Sequence, residues 1–359
     1  MMGIVMHVDF DSFYASLEEQ RKPEIKGKAI VICMYSGRGE SGAVATANYK
    51  ARELGIKSAM PIAFAKRRAN NDTIFLPVDL EYYRSISSQI MDVMESYADS
   101  FQQASIDEAY IDVSSCESFT EAEKITKQIK DDIKSNFGIT CSIGIGPNKL
   151  VAKMASKAKK PDGLTVVKQE DVKNFFSSLS VDKIHGIGGK TTTVLAEMGI
   201  KTIEDLAKAD VAKLEMSFGK NKAKLLKEKA LGIDESPVAE QAIKQMSRIG
   251  TLQEDTSDFN EIYKKVEQLA TEMHKKIIKR KIYFRTVSII IIGANIEMVT
   301  RGKTIQATNK LEDMLDNAKI LLKEYLCRDS GKVRRAGIRV SNLAAEEQKE
   351  NSGLYKFFK

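Results

Sequence analysis

Three acidic side chains in two separate segments of the sequence could together bind metal ions. Asp9 follows the largely apolar residues 4–8, while Asp107 and Glu108 form an adjacent pair much later in the chain. Mg²⁺ prefers carboxylate oxygens combined with substrate phosphates over cages built by protein alone. If the fold brings the three carboxylates to one point, the sequence predicts a two-metal site suited to nucleotide chemistry.

The elements around these acids must position them. Residues 4–11 predict a buried strand that ends on carboxylates, and the C-terminal ends of strands are where α/β sheets place ligands. Residues 103–113 predict two short strands with Asp107 and Glu108 at their junction. Adjacent side chains of a regular strand point to opposite faces, so we expect a hairpin tip that turns both acids toward one ion.

A second interpretation of these acids stays open. An acidic pair at a turn is also typical of a solvated loop or a helix cap. Residues 13–19 predict a helix directly after Asp11 and Ser12. We therefore assign Asp11 mainly to capping that helix, and keep the other three acids as candidate metal ligands.

The pattern along the chain predicts several α+β domains. Residues up to about 168 alternate predicted strands with amphipathic helices, and residues 169–234 become helical. Residues 232–240 are polar and contain a proline, which is typical of a linker. The remaining order is strand, helix, strand, strand, helix and strand, predicted at 248–252, 260–278, 286–292, 298–304, 311–326 and 333–340.

A glycine-rich turn in the helical region could bind a phosphate. Gly186, Gly188 and Lys190 lie just before or at the start of a predicted helix, where backbone N–H groups can hold an anion. This pattern fits a helix-hairpin-helix that grips a DNA backbone without reading its sequence. An ordinary glycine cap between packed helices is the alternative, and residues 218–222 provide a second, weaker instance.

Composition limits the class of protein. The chain has 359 residues, enough for two or more domains, and 43% hydrophobic residues. Its four cysteines form no Cys-x-x-Cys pair and it has three histidines, which argues against zinc, an iron–sulfur cluster or a disulfide framework. No apolar run approaches membrane-spanning length, and no signal peptide is evident. We expect a soluble, monomeric, cytoplasmic protein without a membrane partner.

Positive charge is concentrated near the C-terminus. The net charge is +7, and residues 241–343 contain 20 Lys and Arg against 12 Asp and Glu. That segment therefore contributes +8, and the rest of the chain is nearly neutral. A local excess of this kind favours a polyanionic partner, although solvated lysine-rich helices also produce it.

Three motifs resemble a known family. DFDSFYAS at 9–16, GAVATANY at 42–49 and SIDEAY at 105–110 resemble, in order and spacing, the Y-family translesion DNA polymerases and especially their archaeal polymerase IV-like branch. The resemblance runs from residue 1 to about 342. It implies a multidomain right-hand polymerase with a ferredoxin-like palm at 1–12 and 78–168, small fingers at 13–77, a helix-hairpin-helix thumb at 169–234, a linker at 235–244, a βαββαβ little finger at 245–342 and a tail at 343–359.

The same resemblance implies roles for residues of the site. Two Mg²⁺ ions, with Mn²⁺ able to substitute, would be held by Asp9, Asp107, Glu108 and the backbone carbonyl of Phe10. The incoming deoxynucleoside triphosphate would contact Phe13, Tyr14, Thr46, Tyr49, Arg52 and Lys160, with Tyr14 as the steric gate that excludes a 2′-hydroxyl. The roof over the nascent base pair would be Gly42, Ala43, Val44 and Ala45, whose small size predicts low fidelity and tolerance of damaged templates.

Further residues would bind primer-template DNA and a sliding clamp. The predicted little-finger strands carry a row of cations that we expect on one sheet face: Arg248, Arg285, Arg301, Lys303, Arg334, Arg335 and Arg339. The tail ends in Leu354, Phe357 and Phe358, which resemble a clamp-binding peptide although Asn351 stands where that motif carries glutamine. Aromatic residues packed back on the little finger are the alternative.

Two other functions are weighed against DNA synthesis. A nucleotide cyclase can use the same palm and the same metal acids, but it needs neither a thumb that grips a backbone nor a basic second sheet. A non-catalytic, clamp-associated DNA-binding protein would not need Asp9, Asp107 and Glu108 all intact.

Overall fold

The computed structural model describes residues 3–240, 242–328 and 331–345. Within that part of the chain, backbone contacts define two units. The first contains the described residues of 1–34 and 44–241, and the second those of 35–43 and 242–359. Each unit has its own hydrophobic core.

The strands of the N-terminal part are β1 (Val5–Phe10), β2 (Ile30–Tyr35), β3 (Gly42–Ala47), β4 (Ile74–Pro77), β5 (Ser100–Gln103), β6 (Glu108–Asp112), β7 (Cys141–Gly146) and β8 (Leu164–Val166). The helices are α1 (Phe13–Arg21), α2 (Tyr49–Glu53), α3 (Ile62–Arg68), α4 (Leu80–Glu95), α5 (Phe119–Phe137), α6 (Lys149–Ala158), α7 (Val172–Ser177), α8 (Gly189–Glu197), α9 (Ile203–Lys208), α10 (Val211–Phe218) and α11 (Lys220–Ala230).

The main sheet of the first unit has the order β5-β6-β1-β7-β8. Strand β1 lies between β6 and β7 and is antiparallel to both. This arrangement confirms the predicted ferredoxin-like palm, with β8 added as a parallel strand beyond β7. Strands β3-β2-β4 form the smaller sheet of the predicted fingers.

Both faces of β1 are covered. Met6, Val8 and Phe10 pack into a core that includes residues of α4 and α5. The opposite face meets α6, and a Cβ atom at Gly144 would lie 2.1 Å from the carbonyl oxygen of Ala152. Glycine at position 144 therefore lets α6 lie directly against the sheet.

The start of α1 differs from the prediction. Its N-cap residue is Ser12, in a left-handed conformation with φ 47°, and no side chain caps the helix there. The assignment of Asp11 as a helix cap is wrong, because its carboxylate bonds to other segments of the palm. Helix α1 also contributes Phe13, Ala15 and Leu17 to the palm core, although residues 13–77 were predicted as fingers.

The helical region contains two glycine turns of the predicted kind. Gly186, at φ 91°, precedes α8, which begins at Gly189. Gly219, at φ 77°, separates α10 from α11. Added Cβ atoms at Gly188 and Gly189 would meet no atom within 4 Å, so the backbone at the start of α8 is open to a partner.

The C-terminal unit contains β9 (Gln245–Thr256), α12 (Phe259–Lys279), β10 (Ile282–Gly293), β11 (Met298–Thr308), α13 (Leu311–Arg328) and β12 (Val333–Ala345). This βαββαβ element order was predicted. The sheet order is β11-β10-β12-β9, so its first strand lies at an edge, whereas the first strand of the palm is central. Helices α12 and α13 pack against the face that carries Val287, Ile289 and Ile338.

The expected row of cations on one sheet face is wrong. Arg248 pairs in register with a core residue of β12 and forms an ion pair with Glu272 of α12, so it lies on the helix-packed face. Arg301 and Lys303 pair in register with core residues of β10 and share that same face, although both are exposed.

Other cations of this sheet lie on the opposite face. Arg335 and Arg339 pair in register with Ile292 and Ser288, which alternate with the residues that face the helices. Arg334 lies 4.0 Å from Asp255 at the irregular end of β12. The strand period of two distributes the positive charge over both faces.

Strand β12 continues to Ala345, so the tail predicted from residue 343 begins inside a strand. The predicted clamp-binding residues Leu354, Phe357 and Phe358, together with Asn351, lie outside the described residues. In the part of the chain that is described, no helix has the length and apolar character needed to cross a membrane.

Candidate active site

A cleft of about 320 Å³ lies in the first unit, at the C-terminal end of β1. It contains the three predicted metal-binding acids and the predicted gate tyrosine, whereas Phe10, whose carbonyl is the fourth predicted ligand, is buried and is not among the lining residues. Its lining residues are Asp9, Phe13, Tyr14, Ala45, Thr46, Arg52, Ser58, Ile106, Asp107, Glu108 and Lys160.

Strand pairing brings the acids together. Asp9 and Glu108 are direct partners in the antiparallel pairing of β1 with β6. The backbone N–H of Phe10 donates to the Asp107 carbonyl at 2.9 Å, and the N–H of Ala104 donates to the Glu108 carbonyl at 2.9 Å. These bonds form the predicted hairpin tip, which holds both acids beside the end of the first strand.

Each carboxylate has a polar partner of its own. Asp9 forms an ion pair with Lys160, and Asp107 accepts from the Ser105 hydroxyl at 2.5 Å. Glu108 Oε2 accepts from the ammonium of Lys153 at 2.6 Å.

No three His, Cys, Asp or Glu side chains within the described ranges are already arranged as a ligand set for a metal ion. The carboxylates share a cleft and offer the oxygen ligands that a hard cation prefers.

Two of the acids have opposite pKa shifts. Burial raises the pKa of Asp9 to about 6, against the attraction of Lys160. Burial would also raise the pKa of Glu108, but the ammonium of Lys153 beside it lowers that pKa below the usual range. Both side chains are therefore carboxylates at neutral pH, and Glu108 is the more strongly held in its charged form.

Asp11 organises the loop beside the cleft. Its carboxylate accepts from the hydroxyls of Thr140 at 2.9 Å, Ser142 at 2.8 Å and Tyr49 at 3.3 Å. It also accepts from the backbone N–H of Asp162 at 2.8 Å, two residues after Lys160. Asp11 therefore fixes the turn that follows Lys160.

The predicted phosphate contacts divide into two groups. Thr46, Arg52 and Lys160 line the cleft, but Tyr49 does not, since its hydroxyl is directed to Asp11. The Arg52 guanidinium lies 4.9 Å from the centre of the Tyr49 ring, and its Nε donates to the Ala47 carbonyl at 2.9 Å. The ring of Tyr49 thus stabilises the guanidinium of Arg52 through a cation–π contact.

Few of the predicted roof residues face the cleft. Ala45 lines it, whereas Val44 is 2% exposed and packs into the core of the fingers. Gly42 and Ala43 begin β3 and belong to the second unit. Alternation along the strand places Val44 and Ala45 on opposite faces of β3.

Tyr14 lies in the wall of the cleft and in an aromatic cluster. Its ring stacks on Tyr83 with centroids 4.4 Å apart, and the Tyr83 hydroxyl donates to Glu18 at 2.9 Å. Phe13 is buried against the palm core. The stacking orients the ring of Tyr14 at the edge of the cleft, so the packing and gating interpretations are compatible.

Sequence reasoning missed several side chains of the site. His7 is fully buried, and burial lowers its pKa to about 4. Lys153 is 5% exposed and reaches Glu108 from α6. Ser105 donates to Asp107, and Ser58 lines the cleft. A buried lysine on the apolar side of an amphipathic helix was the available signal, since such a residue requires a partner.

The chain matches a single family along most of its length. Residues 8–157 match the impB/mucB/samB family, residues 243–353 match that family's C-terminal domain, and residues 182–234 match the domain described as DNA polymerase-iota, thumb domain. The fold and these matches define a polymerase of the right-hand type with a ferredoxin-like palm.

Two archaeal relatives extend the match over the whole chain. DNA polymerase IV of Methanosarcina acetivorans is 44% identical, covering 99% of this chain and 100% of the relative. DNA polymerase IV of Nitrosopumilus maritimus is 39% identical, covering 98% and 99%.

Solved structures agree with these relatives. A Y-family DNA polymerase chimera of Dbh and Dpo4 superposes with a TM-score of 0.90 at 35% identity, covering 95% of this chain and 99% of the chimera. An insertion ternary complex of Dbh DNA polymerase gives a TM-score of 0.71 at 34% identity, with the same coverage. The chain belongs to the DNA polymerase IV branch of the Y-family DNA polymerases.

Proposed function

We propose that this protein is a template-directed DNA polymerase that carries out low-fidelity synthesis past damaged template bases by two-metal nucleotidyl transfer. The observation that carries the proposal is the cleft that joins Asp9, Asp107 and Glu108 to the cations Arg52 and Lys160. Acids that bind metal beside cations that bind phosphate are the arrangement that nucleotidyl transfer needs.

Asp9, Asp107, Glu108 and the Phe10 carbonyl would hold two Mg²⁺ ions. When bound, the ions lower the pKa of the primer 3′-hydroxyl and neutralise charge on the leaving pyrophosphate. The donor set consists of hard oxygen atoms, as such ions require. Enzymes of this family depend on divalent metal ions.

The nucleotide would be held by residues of the fingers and palm. Arg52 and Lys160 provide positive charge for the triphosphate, and Thr46 provides a hydroxyl donor. Lys160, which pairs with Asp9 in this structure, would pair with a phosphate oxygen when a triphosphate is bound, and the Asp9 carboxylate would then be free to serve as a metal ligand. Tyr49 acts indirectly, because it supports the guanidinium of Arg52.

The wall of the cleft favours low fidelity. Ala45 is a small side chain on the fingers side of the cleft, and Tyr14 lines the same cleft, where it would border the sugar of the nucleotide. Small side chains above a base pair restrict its shape weakly, so mismatched and damaged bases are admitted.

Primer-template DNA is the expected macromolecular partner. The open backbone at Gly188 and Gly189 favours contact with a phosphate, and Lys190 follows directly in α8. Exposed cations of the C-terminal sheet, such as Arg301, Lys303 and Arg335, would bind the duplex backbone. Clamp binding by the tail, a monomeric state and a cytoplasmic location remain predictions.

One assay separates this function from the alternatives. A polymerase extends an annealed primer with Mg²⁺ and deoxynucleoside triphosphates on undamaged, abasic and oxidised templates, whereas a cyclase converts a nucleoside triphosphate without DNA. A non-catalytic scaffold does neither but still binds DNA. Failure of the purified protein to extend a primer on any template would overturn the proposal.

A further inference from the structure

A buried lysine outside the predicted site holds one of the catalytic acids. The ammonium of Lys153, on α6, donates to Glu108 Oε2 at 2.6 Å. Lys153 is 5% exposed, and the side chain of Glu108 is 23% exposed. A lysine this deeply buried is stable only where its charge is balanced, so this contact is part of the folded structure.

A chain of hydrogen bonds fixes the position of that ammonium. The Ser156 hydroxyl donates its single hydrogen to the Lys153 carbonyl at 2.9 Å, so it can only accept from His7 Nδ1, at 2.8 Å. Neutral His7 therefore carries its hydrogen on Nδ1. Its Nε2 is an acceptor 3.3 Å from the Lys153 ammonium.

These contacts make Lys153 a resident cation at the site where a metal ion is expected. Its ammonium occupies one oxygen of Glu108, in the same way that Lys160 pairs with Asp9. Lys160 lies on a loop and lines the cleft, but Lys153 belongs to a helix that packs directly on the sheet. Lys153 therefore stays in place, whereas Lys160 is available to move.

We propose that Lys153 is a positioning residue that acts as the permanent counter-ion of Glu108 and weakens the binding of a divalent cation to the free enzyme. The proposal rests on the proposed function, since it takes Glu108 as a metal ligand. Metal binding would then depend on the negative charge that a nucleotide and DNA bring, so the metal ions would bind together with the substrates.

Two opposing effects decide whether removal of Lys153 strengthens or weakens metal binding. Without Lys153, the Glu108 carboxylate loses a fixed orientation, which weakens metal binding. It also loses the positive charge that neutralises it, which strengthens metal binding. The ion pair between Lys153 and Glu108 is direct and partly buried. The loss of the Lys153 charge therefore changes metal affinity more than the added conformational freedom of the Glu108 side chain does. Removal of the charge should therefore tighten metal binding.

The chain offers a matched control in Lys149, one turn earlier on α6. Its ammonium lies 5.5 Å from the centre of the Tyr110 ring, against 6.0 Å for Lys153. It donates to Gln102 Oε1 at 3.1 Å and to the Pro237 carbonyl at 2.9 Å. Both lysines line a cavity of about 500 Å³. Lys149 thus shares the helix, the ring and the cavity, and its hydrogen bonds go to other groups than Glu108.

The test measures Mn²⁺ affinity by electron paramagnetic resonance in the full chain, without DNA or nucleotide. Lys153→Met should lower the dissociation constant about tenfold. Lys149→Met should change it less than about twofold, because the ammonium of Lys149 bonds to neutral oxygens and not to a proposed metal-binding carboxylate. Lys153→Arg, which keeps the charge, should restore the weaker binding. Unchanged or weaker Mn²⁺ binding by folded Lys153→Met would overturn the proposal.

A second pair of variants ties the effect to Glu108. In a Glu108→Gln background, Lys153→Met should change Mn²⁺ affinity far less, since no carboxylate remains to be neutralised. An equal effect in both backgrounds would reject the pairing as its cause. Ser156→Ala keeps Lys153 but removes the hydrogen bond that holds His7. It should tighten Mn²⁺ binding by a smaller factor than Lys153→Met does. This variant tests the proposal if Lys153→Met fails to fold.

Primer extension by the same variants keeps the two proposals apart. At saturating Mg²⁺, Lys153→Met should extend primers, with a lower half-saturating Mg²⁺ concentration than the wild type. If the wild type extends no primer, the polymerase assignment fails while the Mn²⁺ comparison still decides the role of Lys153.

Discussion

The palm sheet and the C-terminal sheet have the same order of strands and helices but differ in how they use charge. In the palm, the first strand is central, and its last residues meet the start of β6, so Asp9 and Glu108 become neighbours in a half-buried cleft. In the C-terminal sheet, the first strand is at the edge, and cations are spread over both faces of the sheet. One connectivity thus produces a localised reaction site in one case and an extended basic surface in the other.

The depth of the charges explains what each sheet can do. Buried charges in the palm have fixed partners and shifted pKa values, which suits groups that must stabilise a transition state. Exposed cations act through counterion release from a nucleic acid, and they contribute affinity without chemistry. Mutations in the two sheets should therefore affect different measurements.

The largest expected effect is the loss of chemistry in the palm. Asp107→Asn removes a charged oxygen from the proposed metal site and should slow primer extension by about 10³-fold, since losing preorganised electrostatic stabilisation costs several kcal/mol. DNA affinity should stay within about twofold of the wild type. The measurement is single-turnover extension with saturating Mg²⁺, together with DNA binding by fluorescence anisotropy.

Asp112→Asn is the matched control for that variant. Asp112 lies at the other end of β6 and accepts from the N–H of Ser114 at 2.9 Å, outside the cleft. It should extend primers at close to the wild-type rate. Normal extension by Asp107→Asn would show that the palm acids are not metal ligands.

The next effect concerns the choice of sugar. Tyr14→Ala opens the cleft wall where the sugar is proposed to lie. It should raise ribonucleotide insertion on the order of 10²-fold and change deoxynucleotide insertion little, because the proposed exclusion is a steric clash. The measurement is the ratio of kcat/KM for the deoxy and ribo forms of one nucleotide. Tyr83→Phe keeps the stacked ring and should retain the discrimination. An unchanged ratio in active Tyr14→Ala would make Tyr14 a packing residue only.

A smaller effect is expected in the pH dependence of stability. The pKa of His7 is about 4 in the fold against 6.5 in the unfolded chain. Between these values the unfolded chain takes up more protons, so stability is lost as the pH falls. From pH 7.5 to 5 the loss from His7 should be about 2 kcal/mol.

Urea unfolding of the wild type and His7→Gln at several pH values measures that contribution. The absolute stability of His7→Gln does not matter, since the comparison concerns the slope with pH. Parallel slopes in this range would contradict a buried neutral His7.

The smallest expected effects are in the C-terminal sheet. Arg335→Ala should weaken DNA binding without changing single-turnover extension at saturating DNA. It should also reduce the salt slope of DNA affinity by about one released counterion. Arg248→Ala is the control, because its guanidinium is already paired with Glu272. Equal salt slopes for the wild type and Arg335→Ala would show that the sheet face opposite α12 and α13 does not bind the DNA backbone.

Much of this protein could be predicted from local sequence. Asp9 stands where one hydrophobic run ends, and Asp107 and Glu108 stand where another begins. The hydrophobic periodicity and the turn residues therefore predicted the end of a strand and the tip of a hairpin. Helix α12 was predicted at 260–278 and spans Phe259–Lys279, since its apolar spacing is regular over five turns or more. Local patterns determine such features because they depend on residues only a few positions apart.

Tertiary structure decided which side chains meet. Asp11 resembles a helix cap in sequence, yet it bonds to residues from three distant segments, and no spacing rule contains those contacts. Lys153 reaches Glu108 because Gly144 lets α6 approach the sheet. The division of cations between two faces depended on strand register, since a shift of one residue exchanges the faces. The sequence by itself determined the elements and the acids of the site, while long-range packing determined the partners that set their charge and position.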